Sequence, residues 1–595
     1  MLSRQRMVPQ ADAPILTLLK RPQIPVAQRT RTQFKLLVRH LLDRFFNNDM
    51  VSVGGDAVPL IMTVAYTIAL PTVVMAIFAY PFYHAFPPRP HVPPFWFQVS
   101  DHYFFVMYSF VAMGAVTIFD WDLLFPNLLD IFILSVLPIS NRRLLLARMS
   151  AVLIFLTLFL VGTGSLGIIF FPAITELPGT RLFAAHFVAI ASSGVFAAAL
   201  VLALQGVLIN ILGARLFRMV STLIQTISMT ILLIVLSLYP LVTRTLKLLI
   251  GSNSPAVRYF PPFWFLGIYE CILAGPSKLP AFASLARTGY WATLIVVLLA
   301  FITYPLAHRR RTRQAIEGTV AQDTRSRFTQ LLSRPMHATL LRTPSRRAVY
   351  HFIGQTILRT QRHRIYLAMY AGLGIALITA FAVVFNVEPN HVVVTFSPYG
   401  LRLAVPAVAF WTVAGLRTAL ASPADPGGSW VFRLINGRPG SDHLTAIRIW
   451  ALTWSLIITM GTVAVLHLIA SSQMRGAKET SAQVLVAAGL CILLTDVFFL
   501  KVSVIPFTEA RVPLNTDLAF VLLRYIVVFP TLVFTTANIE PWIEASAGHL
   551  IVTTFLIIAA HIALRRAHGQ IIARQTDQTD FNEEPAPFQT LGLRR

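Results

Sequence analysis

The chain has 595 residues, 56% of them hydrophobic and 12% charged, with a formal net charge of +24. A soluble domain carries about 25% charged residues, so a water-soluble globular fold is excluded, and repeated apolar runs of bilayer length place most of the chain in lipid. The basic excess does not point to nucleic acid, because Lys and Arg gather at the ends of apolar segments, where they set topology and meet lipid headgroups.

Residues 1–57 read as a cytosolic tail followed by an elbow helix. Pro9, Pro14, Pro22 and Pro25 break up the start, and no signal-peptide pattern is expected there. Within 31–47, Phe34, Leu37, Val38, Leu41 and Phe45 follow helical spacing, with Lys35, Arg39, Asp43 and Arg44 away from them. That pattern predicts an amphipathic helix lying in the inner interface.

A first membrane half is expected over 58–307, with spans near 58–80, 103–119, 151–171, 186–212, 219–239 and 289–307. Residues 263–275, rimmed by Pro261, Pro262 and Pro276, are too short to cross and read as an interfacial or re-entrant helix. A basic cytosolic linker, 308–364, opens with Arg309, Arg310, Arg311 and Arg313 and ends in a second amphipathic helix carrying Val349, Phe352, Ile353 and Ile357. A second half follows over 365–565, with spans near 365–387, 401–420, 449–470, 481–500, 518–537 and 549–564, and 566–595 form a cytosolic tail. The expected fold is thus an all-α polytopic membrane protein of about twelve transmembrane helices in two six-helix halves, each introduced by an interfacial helix. With both termini inside, Lys and Arg favour the cytosolic segments roughly fourfold, as the positive-inside rule requires.

The most distinctive loop follows the second span. It reads Asp120-Trp121-Asp122-Leu-Leu-Phe-Pro126, then Asp130, then Leu137-Pro138-Ile-Ser-Asn-Arg142-Arg143 and Arg148. Acidic residues at a cytosolic span end work against the positive-inside bias, so topology alone does not select them. The plain reading is a solvated turn in which Asp120 or Asp122 caps a helix. The functional reading is a short helix between Pro126 and Pro138 that receives a push from a soluble motor, with the Asp120/Asp122 pair and Arg142/Arg143 fixing the loop through ion pairs or helix-end contacts.

The stretch from Ser100 to Arg148, and Tyr259–Glu270 later, resemble large bacterial ABC exporter permeases of the type-two class, membrane subunits without an ATPase domain. The resemblance implies elbow helices, a coupling helix after the second span, short helices between the fifth and sixth spans, and residence in a bacterial cytoplasmic membrane. The second half departs from the pattern. Its candidate coupling loop, about 422–447, offers Trp430 and Arg433. No Gly-x-x-x-x-Gly-Lys-Ser/Thr loop is present, so the resemblance implies that ATP is hydrolysed by a separate subunit.

No hydrolase, zinc-protease or Cys/His cluster motif appears, so neither catalytic residues, metal nor cofactor is expected, and Cys271 and Cys491 form no metal-type pair. Intramembrane charge is scarce, and Asp496, Arg417 and Arg524 are the candidates. The arginines can snorkel to the interface, whereas Asp496 needs a partner, for which those arginines are the candidates. Two other functions stay open: an ion-coupled secondary transporter, which also suits a six-plus-six layout, and a non-catalytic membrane assembly subunit. The apolar spans offer no polar row that names a substrate.

Overall fold

The computed structural model describes residues 26–46, 57–84, 94–126, 128–175, 179–252, 255–275, 280–316, 339–387, 392–421, 441–469, 477–500, 502, 506–507 and 518–579. The first helices are α1 (Val26–Phe46), α2 (Ala57–His84), α3 (Phe95–Phe119), α4 (Trp121–Leu124), α5 (Leu128–Ser135), α6 (Asn141–Ile174), α7 (Gly179–Ile211) and α8 (Ala214–Ser237). Then come α9 (Tyr239–Gly251), α10 (Pro255–Tyr259), α11 (Pro261–Ala274), α12 (Pro280–Ile316), α13 (Pro344–Arg359) and α14 (Gln361–Ala382). A hairpin of β1 (Val383–Val387) and β2 (Val392–Phe396) precedes α15 (Pro398–Ala421), α16 (Ser441–Ile469), α17 (Ala477–Phe498), α18 (Leu518–Ala545) and α19 (Ala547–Thr579).

The protein is a polytopic membrane protein built almost wholly of helices. Among the described residues, ten helices are long and apolar enough to cross a bilayer. The expected spans 58–80 and 518–537 fall on α2 and α18, which are not among those ten. Large apolar side chains stay exposed along single helices, such as Leu294, Ile295, Leu298 and Phe301 on α12 and Ile551, Phe555 and Leu556 on α19. In water such faces would aggregate; against acyl chains they are solvated. By contrast α3 and α15 are enclosed by other helices over most of their length.

In α1, Leu37, Leu41 and Phe45 recur every fourth residue and are buried, while Lys35 and Arg39 on the other side are exposed. The Phe45 ring stacks on Phe155 of α6 at 4.7 Å. The second amphipathic segment, expected as one helix over 346–364, is split. Thr343 caps α13 by accepting from the Arg346 amide at 3.4 Å, Pro344 starts it, and extended backbone at Thr360 separates it from α14. Val349, Ile353 and Ile357 form its buried side.

Three boundaries differ from expectation. The span placed at 103–119 begins at Phe95, because Asp101 and His102 sit inside the helix. The linker expected from 308 begins later, since α12 continues to Ile316 and carries the Arg309–Arg313 run as helix. The span placed at 365–387 ends at Ala382, where β1 pairs with β2 from Val383↔Phe396 to Val387↔Val392. Val383, Val384, Val387 and Val392–Val394 make a β-branched run that favours a strand pair over another helical turn.

The segment expected to be interfacial or re-entrant is α11, and it is enclosed by protein. Phe263, Phe265, Leu266, Ile268, Tyr269 and Glu270 are all buried. Gly267 makes this possible: a Cβ there would lie 2.7 Å from Leu285 Cβ and 2.8 Å from the Phe282 carbonyl oxygen of α12. Helices α8 and α14 pack side by side and join the N-terminal helices to the C-terminal ones.

Candidate functional site

The helix breaks at Asp120, between α3 and α4, and again after Leu124, and these ends leave carbonyl oxygens of 118–125 that need outside donors. Side chains from four other helices supply them. Gln225 Nε2 of α8 donates to the Ile118 carbonyl at 2.8 Å, and Gln205 Nε2 of α7 to that of Trp121 at 2.7 Å. Arg148 Nη2 of α6 donates to the Leu123 and Phe125 carbonyls at 2.9 and 2.6 Å. Tyr304 of α12 donates its hydroxyl to the Leu124 carbonyl at 2.7 Å. Trp121 is fully buried, and its Nε1 donates to Ser221 Oγ at 2.8 Å.

Asp130, on α5, is buried and accepts from Arg148 Nη1 at 2.9 Å; Arg44 of the elbow helix pairs with the same carboxylate. The loop is therefore tied to α1, α6, α7, α8 and α12. Pro126 is buried and ends α4, while Pro138 is exposed in the turn before α6.

The remaining expected members behave differently. Asp120 is buried, its side chain has no ion-pair partner among the described residues, and burial pushes its carboxyl up to about 7. Asp122 is exposed and lies within electrostatic reach of Arg364 at the start of α14. Arg142 and Arg143 are exposed on the first turn of α6 and pair with no acid among the described residues. The expected ion pairs between Asp120/Asp122 and Arg142/Arg143 are thus not formed. Arg148, one to two turns further on, reaches the loop because it points into the bundle instead of solvent. Trp430 and Arg433 lie outside the described residues.

Asp496 of α17 is buried and does have partners, but not the expected ones. His561 of α19 hydrogen-bonds it, and Arg565 Nε and Arg448 Nη1 stand 3.8 and 4.0 Å away. Arg417 instead sits over the Phe499 ring, 5.8 Å from its centroid. Arg524 falls in α18, with its side chain outside the described residues.

The far end of the helices from this loop holds a polar cluster that a search for intramembrane charge missed. His102 Nδ1 and Glu270 Oε1 are 2.6 Å apart, Tyr83 donates to Asp101 Oδ2 at 3.0 Å, and His186 Nδ1 meets the Tyr269 hydroxyl at 3.0 Å. The His102 ring stacks on Tyr269 with centroids 4.1 Å apart. Asp101, His102, His186, Tyr269 and Glu270 are all buried. In the second half, Arg402 Nη2 donates to Glu544 Oε2 at 2.9 Å, with its Nε 4.0 Å from the fully buried Glu540.

Among the described residues no group of three His, Cys, Asp or Glu side chains is arranged to hold a metal ion. No protein-family model, no curated protein and no solved structure matches the chain, so its functional reading rests on the geometry of these sites.

Proposed function

We propose that the chain is the membrane permease subunit of an ATP-driven exporter, driven by a separate ATP-hydrolysing subunit that docks on residues 120–143. In this reading twelve spans form two six-helix halves, 58–307 and 365–565, in a bacterial cytoplasmic membrane with both termini in the cytosol. The observation that carries it is the loop after α3, whose carbonyls are held by side chains of α6, α7, α8 and α12. A load applied to that loop reaches all four helices at once, and coupling between a motor and a membrane path needs such a shared element. Exposed Asp122, Arg142 and Arg143 at the same end give a partner charged groups to grip.

Two features support paired halves. The second helix of each half, α3 and α15, is the enclosed one. Each half also sets an acid that follows its fifth span against a base near the start of its second: Glu270 with His102, and Glu540 with Arg402. The test is purification of the protein from its native membrane, followed by ATPase assay and ATP-driven transport in vesicles. Co-purification of an ATPase whose activity the permease stimulates supports the reading; transport that follows an ion gradient without any ATPase overturns it.

An ion-coupled carrier is the second reading, and the buried Asp496 with half-buried His561 beside it favours it, because a titratable pair across two helices suits a proton relay. Asp496→Asn separates the two. It should abolish uptake driven by a pH gradient in a carrier, and leave ATP-driven export working in a permease.

A further inference from the structure

Where α2, α3 and α9 meet, at the Glu270 end of the helices, a cavity of about 310 Å³ opens to the outside of the bundle. Its walls have two kinds of chemistry. Met75, Phe78 and Phe97 give an apolar side that continues onto the exposed lipid-facing surface of α2, where Ile77 and Phe78 are 62% and 70% exposed. Asp101 and Arg244 give the polar side.

Asp101 is 3% exposed, and only one of its oxygens is occupied, by the Tyr83 hydroxyl. Among the described residues nothing donates to the other oxygen. Arg244 is exposed on α9 and has no acidic partner among the described residues; in particular it does not pair with Asp101. A buried carboxylate and a guanidinium thus line one cavity without neutralising each other. The neighbouring His102 is engaged by Glu270 and donates nothing to Asp101; burying a carboxylate without a hydrogen-bonded cation is costly, and the cost is recovered when one arrives.

The geometry points to a phospholipid with a zwitterionic ammonium–phosphate headgroup as the occupant, its ammonium on Asp101, its phosphate on Arg244 and an acyl chain along Met75, Phe78 and Phe97. A soluble zwitterion would satisfy the two charges but would leave the apolar side, which runs directly into the lipid-facing surface, without a partner. An anionic lipid would satisfy Arg244 but place no cation on Asp101. Phe95 and Trp96 at the start of α3 set the cavity near headgroup depth, where aromatic residues concentrate. The site does not depend on what the protein transports or what drives it.

The test uses the full chain, delipidated in detergent and then exposed to equal amounts of phosphatidylethanolamine and phosphatidylglycerol, with retained lipid read by native mass spectrometry. Wild type should retain phosphatidylethanolamine preferentially. Asp101→Asn, which keeps the Tyr83 contact, should weaken that retention about tenfold, the loss of one charge-assisted bond, and leave phosphatidylglycerol unchanged. Arg244→Ala, at an exposed position, should weaken both lipids. Glycerophosphoethanolamine, the headgroup without chains, should compete poorly. Equal retention of the two lipids by wild type, retention of phosphatidylethanolamine unaffected by Arg244→Ala, or full competition by the chain-free headgroup overturns the assignment.

Discussion

Arg148 holds Asp130 at 2.9 Å while its other terminal nitrogen bridges the carbonyls of Leu123 and Phe125. One buried side chain therefore joins a carboxylate on α5 to the irregular backbone before it. Arg148→Ala leaves Asp130 with only Arg44 and two carbonyls without donors, and should destabilise the protein by about 3–5 kcal/mol, the cost of breaking a buried pair. Asp130→Asn should cost less, since the amide oxygen still accepts and both carbonyl bonds survive. Thermal unfolding in detergent reads the difference; equal losses in the two variants would mean that the carbonyl bonds contribute nothing.

Tyr304→Phe removes one hydroxyl and orphans the Leu124 carbonyl in a buried setting. The expected loss is about 1–3 kcal/mol, the desolvation cost of an unmade bond. Hydrogen exchange should rise at the amides of 121–125 more than along α3, because the carbonyl bond fixes that segment and not the span.

Asp120 gives a pH signature. Its carboxyl is raised to about 7 in the folded protein by burial, against an ordinary value near 4 when unfolded. The folded state thus binds the extra proton between those values, so stability falls as pH rises from about 4 to 7. Asp120→Asn should flatten that part of the profile and be more stable than wild type at pH 8. A wild-type profile that rises over the same window would show that the carboxylate has an unrecognised cationic partner.

Charge reversal separates the two aspartates. On the docking role proposed above, Asp122→Lys, at an exposed position, should leave expression and thermal stability within about 0.5 kcal/mol of wild type, yet weaken association with the proposed ATPase, since it reverses a charge on the surface offered to that partner. Reversal at Asp120 buries a lysine and should lower abundance. Normal transport by Asp122→Lys would remove that residue from the proposed docking surface.

Gly267→Ala tests the seat of α11. The new methyl meets α12 backbone at 2.8 Å, which no side-chain rotation relieves, so a loss of about 1–3 kcal/mol from overpacking is expected. Gly213→Ala, which meets nothing within 4 Å, serves as the control.

Ten of the twelve expected spans are legible as apolar helices, because apolar runs of bilayer length have few alternatives in lipid. The start of α3 was not, since Asp101 and His102 look like the edge of a run until Glu270, 168 residues away from His102, supplies the partner that lets them sit inside. The Asp120–Pro126 phrase marked the loop correctly, but its anchors did not show. Gln205, Gln225 and Tyr304 are single polar groups within apolar runs, and a tally of charged residues passes over them. That Asp496 needed a partner followed from the cost of burying a carboxylate. Which cation it met depended on the packing of α16 and α19 against α17, and that is tertiary information.

Pro305 interrupts the amide ladder of α12 one residue after Tyr304 takes hold of the loop. On the N-terminal side of that break, the helix runs roughly 28 Å from Tyr304 back to Leu285, at 1.5 Å per residue, where it meets Gly267 closely. The arrangement is that of a beam gripped at both ends with a fulcrum just beyond one grip. On the coupling role proposed above, a displacement of the loop would pass along this beam to α11, since both contacts are close. The arginine-rich end of α12, Arg309–Arg313, lies past the fulcrum and outside the gripped length.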